Sequence, residues 1–253
     1  MLFLQNKTVT IDLNCDMGEA CGNDAELMDY VTSANIACGF HAGDAATMRT
    51  TVETAIEKGV AIGAHPGYPD RENFGRVAMQ MSPNQVFDIV SEQIAALNEI
   101  TITAGGKLSH VKAHGALYNQ AACDAELTAA IAEAVLHFDP KLVLFCLSGS
   151  LMILEAEKRG LSTASEVFAD RTYQSDGSLT PRSQPNALIH ETMTAVSQAI
   201  QMVNKSTVAT ASGGTIPIRA DTICIHGDGE NALEFARAIN HALKANGIEI
   251  RAL

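Results

Sequence analysis

Ser109-His-Val-Lys-Ala-His114, written SHVKAH, is the stretch whose reading decides the fold. With the two-residue period of a β-strand, His110, Lys112 and His114 share one face and Val111 lies on the other. An ammonium on a buried strand face is costly unless carboxylates accompany it. Such a face therefore needs an interior that other strands also line with polar groups. Four more segments supply it: IDLNCD (Ile11 to Asp16), NIACGFH (Asn35 to His41), AIGAH (Ala61 to His65) and ICIHGD (Ile223 to Asp228).

Each of these segments has the same parity. Asp12, Asn14 and Asp16 oppose Ile11 and Leu13, while Asn35, Ala37, Gly39 and His41 oppose Ile36 and Cys38. Ala61, Gly63 and His65 oppose Ile62, and Thr222, Cys224 and His226 oppose Ile223 and Ile225. In a closed barrel the aliphatic face packs under helices and the polar face lines the interior. An open sheet covered on both sides wants aliphatics on both. Ionisable residues gathered at the carboxyl ends of parallel strands are also how a (β/α) barrel builds an active site.

The rest of the chain supports this alternation. Strands are predicted near 9–14, 35–40, 60–64, 108–113, 142–147, 164–169 and 222–226. Between them, helical periodicity runs over 44–58, from a capping box at Ser82-Pro83-Asn84-Gln85, and over 121–138, 151–159, 187–203 and 229–246. Parallel strands joined by right-handed crossovers follow. The expectation is an α/β fold, a single TIM-like barrel domain spanning 1–253, with an open doubly wound sheet as the alternative.

At 253 residues, 47% hydrophobic and 18% charged, the chain can bury a large core, and no Pro/Ser-rich linker divides it. The net charge of −12 argues against a nucleic-acid partner, which needs a basic field. No stretch is long and apolar enough to span a bilayer, so no membrane association is expected. The six cysteines show no C-x-x-C spacing, and four lie in predicted strands as reduced apolar filler. A cytoplasmic location is expected.

Lys112 and His114 are the sharpest pair. Lys112 reads as an electrophilic clamp on a developing oxyanion and His114 as a proton-transfer group; a structural Lys–Asp bridge closing the barrel is the plainer alternative. Asp16, Glu19, His41, Asp44 and His65 stand at the ends of the first three strands. Asp16, His41 and His65 are candidate ligands of a divalent metal, and singly each histidine also fits a hydrogen-bonded wall. The loop HPGYPDRENFGR (His65 to Arg76) suits a lid that grips an anion through Arg71 or Arg76, and Phe168 to Pro185, with Arg171 and Arg182, borders the same mouth. The glycines after His226 allow backbone approach to a phosphate. There is no Walker A, and Leu147-Ser148-Gly149-Ser150 does not fit a nucleophile elbow.

The long motifs IDLNCDMGEACG, SANIACGFHAGD, GAHPGYPDRENFGR, VKAHGALYN, FADRTYQSDGSLTPRSQPNALI and ICIHGDG together resemble the lactam-utilization (LamB/YcsF) family, from about Thr10 to Ile250 and in order. One departure is Ala113, where the family pattern usually has proline. The resemblance implies a (β/α)7-type barrel similar to the glycoside hydrolase/deacetylase superfamily. It also implies ATP-dependent cleavage of 5-oxoproline (pyroglutamate) to L-glutamate by a 5-oxoprolinase, in which partner subunits B and C phosphorylate the lactam and this subunit opens the ring. On that scheme Asp16 or His114 is the base and Lys112 the electrostatic stabiliser. Arg71 and Arg171 clamp anions, Glu19, His41 and His65 orient groups or hold a metal, and Asn14, Asp44 and His226 contact substrate. The competing readings are a metal-dependent deacetylase or amidohydrolase acting without ATP, and a noncatalytic substrate-binding subunit.

Overall fold

The computed structural model of the protein describes residues 9–227, 229 and 231–253. Asp228, the end of the last strand segment, lies outside them. In chain order the first half comprises β1 (Thr10–Met17), the short α1 (Asp24–Leu27), β2 (Ser33–Ala37), α2 (Ala45–Lys58), β3 (Ala61–His65), α3 (Pro83–Thr103), β4 (Leu108–Val111) and α4 (Gly115–Ala121). There follow α5 (Ala125–Phe138), β5 (Val143–Leu147), α6 (Leu151–Lys158), β6 (Ser162–Phe168), α7 (Thr192–Lys205), a hairpin of β7 (Thr207–Ala209) and β8 (Thr215–Pro217), β9 (Thr222–His226), α8 (Ala232–Ala245) and β10 (Glu249–Ile250).

Seven parallel strands close into a barrel in the order β1-β2-β3-β4-β5-β6-β9, with β9 returning to β1. Closure runs from Asp12 opposite Thr222 to Asp16 opposite His226. The open-sheet alternative is thereby excluded. β10 extends the amino-terminal end of β1 at Thr10 and Ile11.

The parity read from the sequence determines which side chains meet. Leu13, Cys15, Ile36, Val111, Leu144, Cys146, Val167, Ile223 and Ile225 are buried in one continuous apolar cluster with helix residues such as Val52, Val90, Leu97, Ile131 and Ile239. The opposite faces carry Asp12, Asn14, Asp16, Asn35, His110, Lys112 and Glu166, also buried. Local chemistry sets the helix boundaries. Ser82 and Gln85 form the reciprocal capping box with Pro83 in the first turn, and α2 ends at Gly59 with φ 68°. The helix expected over 121–138 is α5, which starts at Ala125, and the short α4 before it is not among the expected helices. Asp124 sets that start, because its carboxylate accepts from the Glu126 and Leu127 N–H groups and caps α5. The helix expected from 187 starts at 192, since Ala187 and Ile189 instead bond the backbone of Thr172 and Asp170. Among the described residues no helix is long and apolar enough to cross a membrane.

Candidate active site

Lys112 lies just past the end of β4, 2% exposed, with its ammonium between two carboxylates: Asp16 Oδ1 at 2.8 Å and Glu166 Oε1 at 2.9 Å. Burial opposes its charge, but Asp16, the Cys224 sulfur and Glu166 hold the amine well above its ordinary range. Burial likewise works against the Asp16 carboxylate, and the Lys112 ammonium counters it, so Asp16 stays well below the usual carboxylate range. Glu166 is further fixed by the Tyr118 hydroxyl, which donates to Oε2 at 2.6 Å. The Lys–Asp contact expected from the sequence is present, and Glu166 makes it a triad.

Beside this charged centre runs a chain of hydrogen bonds that ends on the Asp12 carboxyl. His110 Nε2 donates to Asn35 Oδ1 (2.8 Å), and Asn35 Nδ2 donates to Asn14 Oδ1 (2.7 Å) and Asp16 Oδ1 (2.8 Å). Asn14 Nδ2 donates to the Thr222 hydroxyl (2.7 Å), which donates to Asp12 (2.5 Å). Gly63 makes this possible by leaving space: a Cβ there would sit 2.1 Å from His110 Nε2. Burial raises the Asp12 carboxyl and pushes His110 down to about 3.

Four residues from successive strand ends meet on the other side of Asp16. His65 Nδ1 lies 2.7 Å from the Lys112 carbonyl and His114 Nε2 lies 2.8 Å from the Phe74 carbonyl. A carbonyl only accepts, so these nitrogens carry the protons. His65 Nε2 and His114 Nδ1 then face each other at 2.9 Å. The His41 ring stacks on His114 at 3.8 Å and 2°, and neither His41 nitrogen has a hydrogen-bond partner among the described residues. Glu19 Oε1 is 3.4 Å from His41, 3.5 Å from His114 and 4.0 Å from His65. The sequence grouped Glu19, His41 and His65 here, with Asp16 as a further candidate ligand; the geometry adds His114.

The loop expected as a lid is tied down over these rings. The Phe74 ring packs edge-on against His41 and His114, and Gln93 bonds both backbone groups of Gly67. Gly67 and Gly75 lie so close that a Cβ would meet His41 at 2.7 and 2.8 Å.

A cavity of about 660 Å³ opens above the charged centre, lined among others by Asp16, Lys112, His114, Phe168, Arg182 and His226. His226 Nδ1 is held by the Asp170 carboxylate at 2.8 and 3.0 Å, and Asp170 also accepts from the His226 N–H. Burial opposes the Asp170 carboxylate, and His226 outweighs this and keeps it below the usual range. Asp170 and His226 thus form an Asp–His dyad with Nδ1 as the held nitrogen.

The remaining predicted residues fall elsewhere. Arg71 is outside the cavity lining and donates to the Gly39 and Gly43 carbonyls. Arg171 borders the cavity, but its guanidinium donates to the Ala187 and Thr180 carbonyls. Asp44 is exposed and caps α2 by accepting from Thr47. Arg76 and Arg182 are the arginines that line the cavity besides Arg171. Glu166, Tyr118 and the role of Asp170 escaped the sequence reading. Glu166 shares strand parity with Ala164 and Phe168, so the test that singled out Lys112 would have found it.

Residues 11–253 match the family model described as LamB/YcsF family. The chain is 55% identical over 248 residues to the A subunit of 5-oxoprolinase from Brevibacillus brevis, covering 96% of this chain and 98% of that protein. It is 54% identical to the corresponding 5-oxoprolinase protein of Bacillus subtilis, covering 96% of each. Among solved structures, the lactam utilization protein from Thermus thermophilus superimposes with a TM-score of 0.91 at 44% identity, over 97% of this chain and 100% of that one. A family 4 carbohydrate esterase from Streptomyces lividans, at TM-score 0.53 and 14% identity over 96% and 91% of the two chains, shares the fold alone. With its whole barrel and every strand-end motif inside the matched span, the chain belongs to the LamB/YcsF family.

Proposed function

We propose that this chain is the ring-opening subunit of an ATP-dependent 5-oxoprolinase, hydrolysing the lactam of 5-oxoproline to L-glutamate after partner subunits B and C have phosphorylated the amide oxygen. The substrate class and the assembly come from the names of its relatives. The chemistry rests on one observation: a charged Lys112–Asp16 pair and an Asp170–His226 dyad face the same cavity.

A five-membered lactam is an unreactive amide, and phosphorylation makes its carbon electrophilic and its oxygen a leaving group. Ring opening then needs water to add to that carbon and pass its two protons to the ring nitrogen as the C–N bond breaks; a second water hydrolyses the resulting acyl phosphate to L-glutamate and inorganic phosphate. Asp16, kept ionised, is positioned to take a water proton. His114, the alternative base, has Nε2 committed to Phe74 and Nδ1 turned toward His65, so Asp16 is favoured. His226 Nε2, oriented by Asp170, delivers a proton to the leaving nitrogen. Lys112 stabilises the charge on oxygen, an electrostatic contribution of about 3–4 kcal/mol in such sites. Arg76 and Arg182 take over the anion-binding role expected of Arg71 and Arg171.

The test is glutamate formation from 5-oxoproline and ATP, with and without subunits B and C. Turnover is expected only with all components, and Asp16→Asn should lower it by about 100-fold or more. Near-normal turnover by that variant would overturn the assignment.

A second reading is favoured by the Glu19–His41–His65–His114 group, whose donor set suits a metal-dependent amidohydrolase. Amide hydrolysis by the chain alone, without ATP, would establish it over the first.

A further inference from the structure

We propose that Glu19, His41, His65 and His114 bind one divalent transition-metal ion of the zinc class, in a site that adjoins the Lys112 centre across Asp16. Three observations carry this inference.

The first is spacing. Ligand atoms about 2.1 Å from a common ion lie about 3.0 Å apart when octahedral neighbours and about 3.4 Å apart when tetrahedral ones. The separations found are 2.9 Å for His65 to His114, 3.4 Å for His41 to Glu19, 3.5 Å for His114 to Glu19 and 4.0 Å for His65 to Glu19. All four ligand atoms lie within 4.8 Å of one another.

The second is orientation. His65 and His114 each give their other N–H to a backbone carbonyl, the arrangement that fixes the tautomer of a metal-ligating histidine. Their bare nitrogens then point at each other, and two lone pairs at 2.9 Å repel unless a cation lies between them.

The third is the state of His41. It is 0% exposed, and neither ring nitrogen has a hydrogen-bond partner among the described residues, a costly arrangement without a ligand. The stacked His114 ring, the Phe74 edge and the close backbone of Gly67 and Gly75 hold it in place.

Asp16, Cys224 and His226 form a second group of metal-ligand type close by. It is the weaker candidate, since burial raises the Cys224 thiol well above its ordinary range and the Lys112 ammonium sits 3.0 Å from the sulfur.

The experiment is titration of chelator-treated full-length protein with Zn(II) by calorimetry and with Co(II) by visible absorption. One equivalent is expected to bind, with His41→Asn and Glu19→Gln each weakening it by about 100-fold or more, since even losses around a ligand cost about 10–100-fold. Absence of saturable binding, or binding unchanged in both variants, would overturn the proposal. Should a variant fail to fold, X-ray absorption of the Zn(II)-loaded wild-type protein decides. Three imidazoles with oxygen support the site; a sulfur ligand, or fewer than two imidazoles, sinks it. No substrate, ATP or partner subunit enters this readout, so it fails or succeeds independently of the 5-oxoprolinase reading.

Discussion

Two polar networks fill the barrel, and they are built on opposite principles. The chain from His110 through Asn35, Asn14 and Thr222 to Asp12 passes donor to acceptor at each link. The Lys112 centre sets one ammonium against two carboxylates and borders the cavity. A satisfied hydrogen-bonded network rigidifies an interior, whereas a buried ionic cluster is seldom a net source of stability. The first network fits a role in holding strands in register and, on the proposed function, the second a role in chemistry. Asn35 and Asn14 join them, since Asn35 donates to both Asn14 and Asp16.

The sharpest way to break this division is Lys112→Met. It should lower turnover about 100- to 1000-fold. It should also cost about 3–5 kcal/mol of stability, because Asp16 and Glu166 are left facing each other uncompensated. Kinetics of the reconstituted complex and a urea denaturation curve read the two effects. If stability alone fell, Lys112 would belong with the structural network.

Asp170→Asn probes the cavity side without touching either network. As a positioning residue, Asp170 should matter about 10- to 100-fold in turnover, with KM little changed and an altered pH–rate profile. An unaltered profile would remove His226 from proton transfer.

Gly63→Ala tests the hydrogen-bonded chain. Its Cβ would strike His110, whose ring is pinned against Phe145 at 4.2 Å, so a loss of about 2–3 kcal/mol is expected from overpacking. A shift in the urea midpoint with an unchanged slope is the expected signature.

The smallest effect is a pH dependence. His110 is buried neutral, with its pKa lowered from 6.5 to about 3. Between those values the unfolded chain binds the proton and the folded one does not, so stability rises with pH through that window. The contribution is complete above about pH 6.5 and has lost about 2 kcal/mol by pH 5. Thermal melts of wild type and His110→Gln across pH 4–7 should differ by that slope.

Much of this was legible in the sequence because strand parity is a two-residue rule that survives without knowledge of the fold. It placed Asp12, Asn14, Asp16, Asn35 and Lys112 inside the barrel, and His41 and His65 at its rim. What it could not supply was loop conformation. Nothing in HPGYPDRENFGR tells Arg71 from Arg76, and the structure turns the first onto backbone carbonyls and the second onto the cavity wall. The Asp170–His226 dyad was hidden for the same reason: 56 residues separate its members, and Asp170 lies on the loop after β6. The start of α5 at Ala125 rather than at 121 depends on Asp124, a cap whose effect periodicity does not register.

Closure of the barrel by β1 carries a consequence for biosynthesis. Its pairing with β9 joins residues about 210 positions apart, the first strand of the barrel with its last. Contacts that distant form slowly, because chain entropy must be lost before they are made. A nascent or truncated chain therefore has Asp16 and Lys112 without the strand that seals their surroundings. On the proposed function, turnover is expected only once β9 has paired with β1 and closed the barrel.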